Sequence, residues 1–186
     1  MTLTSLTIRN FKKFDDVTIP LGDPVVFIGP NNSGKTTALQ ALTLFAIGIS
    51  KILGKKETDF PDKETPGITI NRRDLLAVPV PAASMLWRDL QIHRIALPER
   101  QQATPDIPIV IIVEGITNNK PWVCGLEFDY ANPESLYCRP IKDKTGHVYP
   151  IPKEITGFAI AFLPPMSGLA AHEIKLETGA INVKIG

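Results

Sequence analysis

The sequence predicts an α/β fold, on three observations. A run of four apolar residues, Val25-Val26-Phe27-Ile28, leads directly into Gly29-Pro30-Asn31-Asn32-Ser33-Gly34-Lys35-Thr36. From Lys35 onward Leu39, Leu42, Ala46, Ile49 and Leu53 recur at spacings of three and four, the period of a helix with one covered face. Around that unit several short segments alternate apolar and polar residues, as half-buried strands do.

Composition sets the frame for these elements. The chain has 186 residues, 44% of them apolar and 21% charged, enough for one domain or one domain with an appendage. A formal charge of +1 gives no electrostatic reason to expect nucleic acid, a membrane surface or an acidic substrate. Cys124 and Cys138 lie outside any CxxC or CxxH spacing, so neither zinc nor a disulfide framework follows, and a reduced cytoplasmic setting is expected. The apolar stretch from Ala38 to Ile49 is interrupted by Gln40 and Thr43 and falls short of the roughly 20 residues that cross a bilayer. Met1-Thr2-Leu3-Thr4 has no basic segment followed by an apolar one, so no signal peptide and no membrane partner are expected.

Taken in order, Leu3 to Ile8 and Val17 to Leu21 read as short strands, joined by a turn with two aromatic anchors, Phe11 and Phe14. Val25 to Ile28 reads as a strand buried on both faces of a sheet. The helix from Lys35 is expected to end at Gly54. Lys55 to Gly67, charged and carrying Pro61 and Pro66, reads as an exposed loop or insertion. Between Asn71 and Arg94, short helical turns are expected at Asp74-Leu75-Leu76 and Ser84-Met85-Leu86-Trp87, broken by Pro79 and Pro81. Glu99 to Pro108 is a connection. Ile109 to Val113 and Trp122 to Tyr130 form an antiparallel hairpin about a turn at Thr117 to Lys120, with a third strand near Leu136 to Cys138. Gly157 to Leu163 reads as another buried strand, stopped by Pro164-Pro165.

The pattern GxxxxGK[ST] is met at Gly29, Gly34, Lys35 and Thr36, between a predicted strand and a predicted helix, which is the context its chemistry needs. Glycines allow a tight turn in which backbone N–H groups from about Asn32 to Thr37 converge on phosphate oxygens at a helix N-terminus. Lys35 adds a point charge at the β and γ phosphates, and the Thr36 hydroxyl is suited to ligate Mg²⁺. The candidate nucleotide-binding residues are therefore Gly29, Asn32, Ser33, Gly34, Lys35, Thr36 and Thr37, with Thr36 the candidate metal ligand.

Together, Leu6-Thr7-Ile8-Arg9-Asn10-Phe11-Lys12-Lys13-Phe14, the strand to Leu21, and Phe27 through Leu39 resemble the N-terminus of ABC-type ATPases of the SMC and RecF group, an opening shared by OLD-family and related phage-defence ATPases. The resemblance implies a P-loop NTPase fold, the first lobe of an ABC ATPase, with a mixed sheet whose antiparallel portion wraps around the P-loop helix. It implies ATP rather than GTP, and head-to-head self-association. It implies that Asn31 faces the γ-phosphate side and that Lys12 reaches toward the phosphates. On this view residues 1–163 form an incomplete first lobe, with 54–107 an insertion or loop-rich connection, and 164–186 lead to a missing second part. DNA would be reached only through the full-length protein.

Such ATPases also need an LSGGQ-like signature, an hhhhDE segment and a switch histidine. Ile109-Val110-Ile111-Ile112-Val113-Glu114 has Val113 where the Asp should stand, and an antiparallel strand accounts for it better. Met166-Ser167-Gly168-Leu169 lacks one signature glycine. In many relatives the segment following the buried strand carries a magnesium-contacting Gln, where this chain has Pro164, Pro165 and Met166. The expectation is ATP binding in DNA maintenance or phage defence, with hydrolysis dependent on residues elsewhere. A non-enzymatic module that docks on a partner in its ATP state is the rival reading. A small P-loop kinase is disfavoured by two strands before the loop and by the lack of an arginine-rich lid.

Other motifs carry no chemistry. Asp143-Lys144-Thr145-Gly146 reads as a hairpin turn, and Asn119-Lys120 lacks the Asp of a guanine-reading motif, since Trp122 occupies that place. His93, His147 and His172 have no ligand spacing. Trp87 and Trp122 read as packing residues, and Lys51, Lys55 and Lys56 as a solvated helix end.

Overall fold

The computed structural model of the chain describes residues 1–54, 67–93, 106–142 and 151–161. Strands β1 (Thr2–Phe11), β2 (Phe14–Pro20), β3 (Ile68–Asn71), β4 (Ile109–Thr117), β5 (Lys120–Asn132) and β6 (Ser135–Pro140) form one sheet in the order β2-β1-β4-β5-β6-β3. Every ladder in it is antiparallel. One helix, α1 (Lys35–Leu53), covers a face of that sheet.

Alternation decides which face is covered. Leu6 and Ile8 of β1, Ile109, Ile111 and Val113 of β4, Leu126 and Phe128 of β5, and Leu136 and Cys138 of β6 are all buried. Their registers align them across the sheet: Ile8 is opposite Ile111, which is opposite Leu126, and Ile109 is opposite Phe128, which is opposite Cys138. Fully burying each large apolar side chain contributes about 1.5–3 kcal/mol. The helix packs tightly on the sheet at Gly48, where a Cβ would stand 2.7 Å from Leu126 Cδ1 and 2.9 Å from Cys138 Sγ. Phe45 meets Phe158 edge-on, with ring centroids 5.7 Å apart.

The opposite face carries polar pairs across β1–β2 and across β5–β6, with Val110 and Ile112 of β4 between them. Thr7 and Thr18 hydroxyls lie 2.9 Å apart, and Arg9 reaches Asp16 at 3.0 Å. Arg139 donates to Glu127 and stands 2.8 Å from Asp129 Oδ2. That last approach is not along an N–H direction, so the buried oxygen accepts no directed hydrogen bond. Burial pushes the Asp129 carboxyl up, an effect that Arg139 only partly offsets.

The hairpin of β4 and β5 turns through Asn118 and Asn119, both with positive φ, as a two-residue turn requires and asparagine tolerates. Helical turns fall at Arg72–Asp74, Ala83–Leu86 and Arg88–Leu90, near the expected places. Trp87 and Trp122 are packing residues: both are buried, and the Trp87 indole donates to the Ile107 carbonyl at 2.6 Å. His93 pairs with Asp106 and Lys51 with Asp74. By length and composition α1 could cross a membrane, yet half of that span is buried within the chain, as in a core helix.

Several expectations are corrected. Val25 to Ile28 pairs with no strand, and Val26 and Ile28 are 74% and 89% exposed. An apolar run is buried on both faces only if neighbours flank it, and none of the six strands does. The parallel component of the expected mixed sheet is consequently absent among the described residues. On α1, Leu39 and Leu53 are exposed, while Ala38, Ala41, Phe45 and Ile52 are buried beside Leu42 and Ile49. Leu42, Ala46 and Ile49 thus lie on the covered face as expected, and that face is broader than one stripe, taking in Ala38, Ala41, Leu44 and Phe45 as well. Gly157 to Ala161 forms no strand, and only Phe158 of it is buried. The segment after Gly67 supplies β3, an edge strand beside β6. Lys55, Lys56, Asp143 to Gly146, His147, Met166 to Leu169, His172 and the tail 164–186 lie outside the described residues.

Candidate functional site

The phosphate loop joins the unpaired Val25–Ile28 segment to α1. Gly34, the N-cap of α1, has φ 102° and offers no side-chain cap, and the first turn of the helix has no acidic residue. The first-turn N–H groups, those of Lys35, Thr36 and Thr37, are therefore uncapped at the positive end of a helix of 19 residues. Such a helix start suits an anion.

Lys35 folds back over the loop. Its Nζ donates to the carbonyls of Gly29 and Pro30, both at 2.7 Å, and lies 3.4 Å from Ser33 Oγ. Ser33 N–H donates to the Pro30 carbonyl at 3.3 Å, closing a turn in which Asn32 has φ 62°. An ammonium held by carbonyl oxygens is available to exchange them for phosphate oxygens, which are stronger acceptors. Asn31, Asn32 and Thr36 are exposed, and Thr37 is half-buried. The structure thus brings Gly29 to Gly34 and the first helical turn through Thr37 together as one segment that faces solvent except at buried Gly34.

Thr36 fits the role of a magnesium ligand because its hydroxyl is accessible on the first helical turn. Among the described residues no group of three or more His, Cys, Asp or Glu could hold a metal. A protein contribution of one hydroxyl suits Mg²⁺, which takes its remaining ligands from water and phosphate.

The β1–β2 turn lies against this loop, and it does so through residues other than the one expected. Lys12, with φ 50°, sends its Nζ to Gln40 Oε1 of α1 at 2.7 Å, not to the loop. Burial pushes its ammonium down from the ordinary lysine value. Lys13 instead donates to the Asn32 carbonyl. Phe14 covers Gly34, where a Cβ would stand 2.6 Å from the ring's Cζ. The Lys-Lys pair and the second aromatic anchor were the visible signals. Which lysine faces the loop depends on the left-handed turn at Lys12.

Ile109 to Glu114 lies within β4, between β1 and β5. It is an antiparallel strand, with Glu114 opposite Ser5 and Val123.

A strand pair, an uncapped helix start and a GxxxxGKT loop define a P-loop protein. The AAA ATPase domain family matches residues 1–114. The chain belongs to that family, in its SMC, RecF and OLD group. It is also similar to the OLD nuclease of Thermus scotoductus, 43% identical over 42 residues, which is 23% of this chain and 8% of that protein. The similarity thus spans a small fraction of the relative's length.

Proposed function

We propose that this chain binds ATP with Mg²⁺ at Gly29 to Thr37, within a protein that serves DNA maintenance or defence against phage. The uncapped start of α1, ringed by Lys35 and the Thr36 hydroxyl, carries the reading. Lys35 would trade the Gly29 and Pro30 carbonyls for the β and γ phosphates, and Thr36 would hold the metal. Asn31 is assigned to the γ-phosphate side. The similarity to an OLD nuclease supports the DNA-related role. A reducing, cytoplasmic location belongs to the same reading, with Cys124 and Cys138 both free and buried and the Cys124 thiol pushed up to about 12 by burial.

Hydrolysis needs groups that align water and stabilise charge on the transferring phosphoryl. No acidic side chain stands in the first turn of α1, and the acidic residue of β4 sits in an antiparallel ladder. The proposal is therefore binding with turnover dependent on a further segment or on self-association. Phosphate release by the purified chain tests this: slow or absent release supports it. Rapid release that is lost in Lys35→Ala would refute it.

The exposed Val26 and Ile28 beside the loop favour a second reading, a module whose affinity for a protein partner changes with ATP. It predicts no turnover even when the chain is concentrated enough to associate.

A further inference from the structure

The β1–β2 turn is fastened on two sides. Lys12 N–H donates to the Leu86 carbonyl at 2.8 Å, Arg88 pairs with Asp15 at 2.8 Å, and Phe11 is fully buried and bridges to Trp87. Its other side rests on the phosphate loop through Lys13 and Phe14. At Gly34 the nearest heavy atoms to a built Cβ are two of the Phe14 ring and then Lys13 Cδ, at 3.3 Å. The turn is a rigid platform, and the loop leans on it.

We propose that Lys13 is a positioning residue for the phosphate loop, holding the Asn32 carbonyl so that the Ser33 N–H of the same peptide faces the anion site. The inference rests on the ATP-binding reading above. The Asn32–Ser33 peptide is trans, so its carbonyl and N–H point in opposite directions. With the carbonyl on the Lys13 ammonium, the N–H is turned inward, where it now reaches the Pro30 carbonyl over a long 3.3 Å. A phosphate oxygen would replace that weak partner. Asn32 itself is in the left-handed region, which asparagine tolerates, and contacts on its peptide help fix it there. The Lys13 contact is one such fixture.

A positioning role differs from direct contact with the terminal phosphate in what it discriminates. A loop held in shape serves every polyphosphate, whereas an ammonium on the γ-phosphate serves ATP alone. Calorimetric titration of the full chain with MgATP and with ADP, in wild type, Lys13→Ala and Lys13→Arg, separates the two. Lys13→Ala is expected to weaken ATP and ADP alike by about fivefold, the scale of one exposed charge-assisted hydrogen bond. Lys13→Arg should restore both. Without nucleotide, the Ser33 amide resonance should move in Lys13→Ala and return in Lys13→Arg. A loss confined to ATP, or unchanged affinities alongside wild-type binding, would overturn the inference alone. A wild-type chain that binds neither nucleotide would overturn the ATP-binding reading with it.

Discussion

Phe14 lies so close over Gly34 that a β-carbon at that glycine would come within 2.6 Å of the ring. The first hairpin and the start of α1 are therefore fitted to each other, and the fit needs a residue without a side chain. Gly34 also has φ 102°, which L side chains rarely adopt. Gly34→Ala combines strain with a clash, and is expected to cost about 1–3 kcal/mol. Thermal melts should show the loss, and nucleotide titration should show weakened binding. An unchanged melting temperature would contradict the fit.

Buried Phe45 and exposed Leu39 on α1 give a paired prediction. Phe45 is fully buried against Phe158, so Phe45→Ala should cost about 3–5 kcal/mol, a large part of a typical domain's stability. Leu39 is 51% exposed, so Leu39→Ala should stay within about 0.5 kcal/mol. Urea denaturation measures both. Equal losses would restore the face that the leucine spacing suggests.

Unpaired backbone exchanges its amide hydrogens quickly. Val25 to Ile28 has no ladder, whereas Ile111 and Leu126 face each other in the middle of the sheet. Hydrogen exchange of the isolated chain should show rapid labelling at 25–28 and slow labelling at Ile111 and Leu126. Protection at 25–28 would mean that a partner strand covers the run.

Asp129 gives a pH dependence with a defined sign. Its folded carboxyl lies above the ordinary 3.8, chiefly through burial, so between that value and the raised one the folded state holds more proton than the unfolded. Its contribution to stability is fullest below 3.8 and is lost as pH rises through the folded value. Relative to Asp129→Asn, the wild type should lose stability as pH rises from the ordinary carboxylate value toward neutrality. Denaturation of both proteins across that range checks it, and a difference that grows in favour of the wild type would contradict it.

Much of this was legible in the sequence because local chemistry decided it. The GxxxxGKT string, the start of α1 and the Asn118-Asn119 hairpin each depend on neighbours in sequence. What was not legible depends on neighbours in space. Val25 to Ile28 has the composition of a central strand, but composition cannot say whether flanking strands are there. Ile68 to Asn71 alternates over too few residues to stand out beside a charged, proline-bearing stretch. Lys12 and Lys13 are adjacent, and the φ of one turn residue decides which reaches the loop.

Calorimetric titration of wild type and Lys35→Ala with MgATP tests the central claim most directly. The account predicts saturable binding to the wild type and at least a tenfold loss in Lys35→Ala, about 1.4 kcal/mol. Equal affinities, or no binding by the wild type, would contradict it.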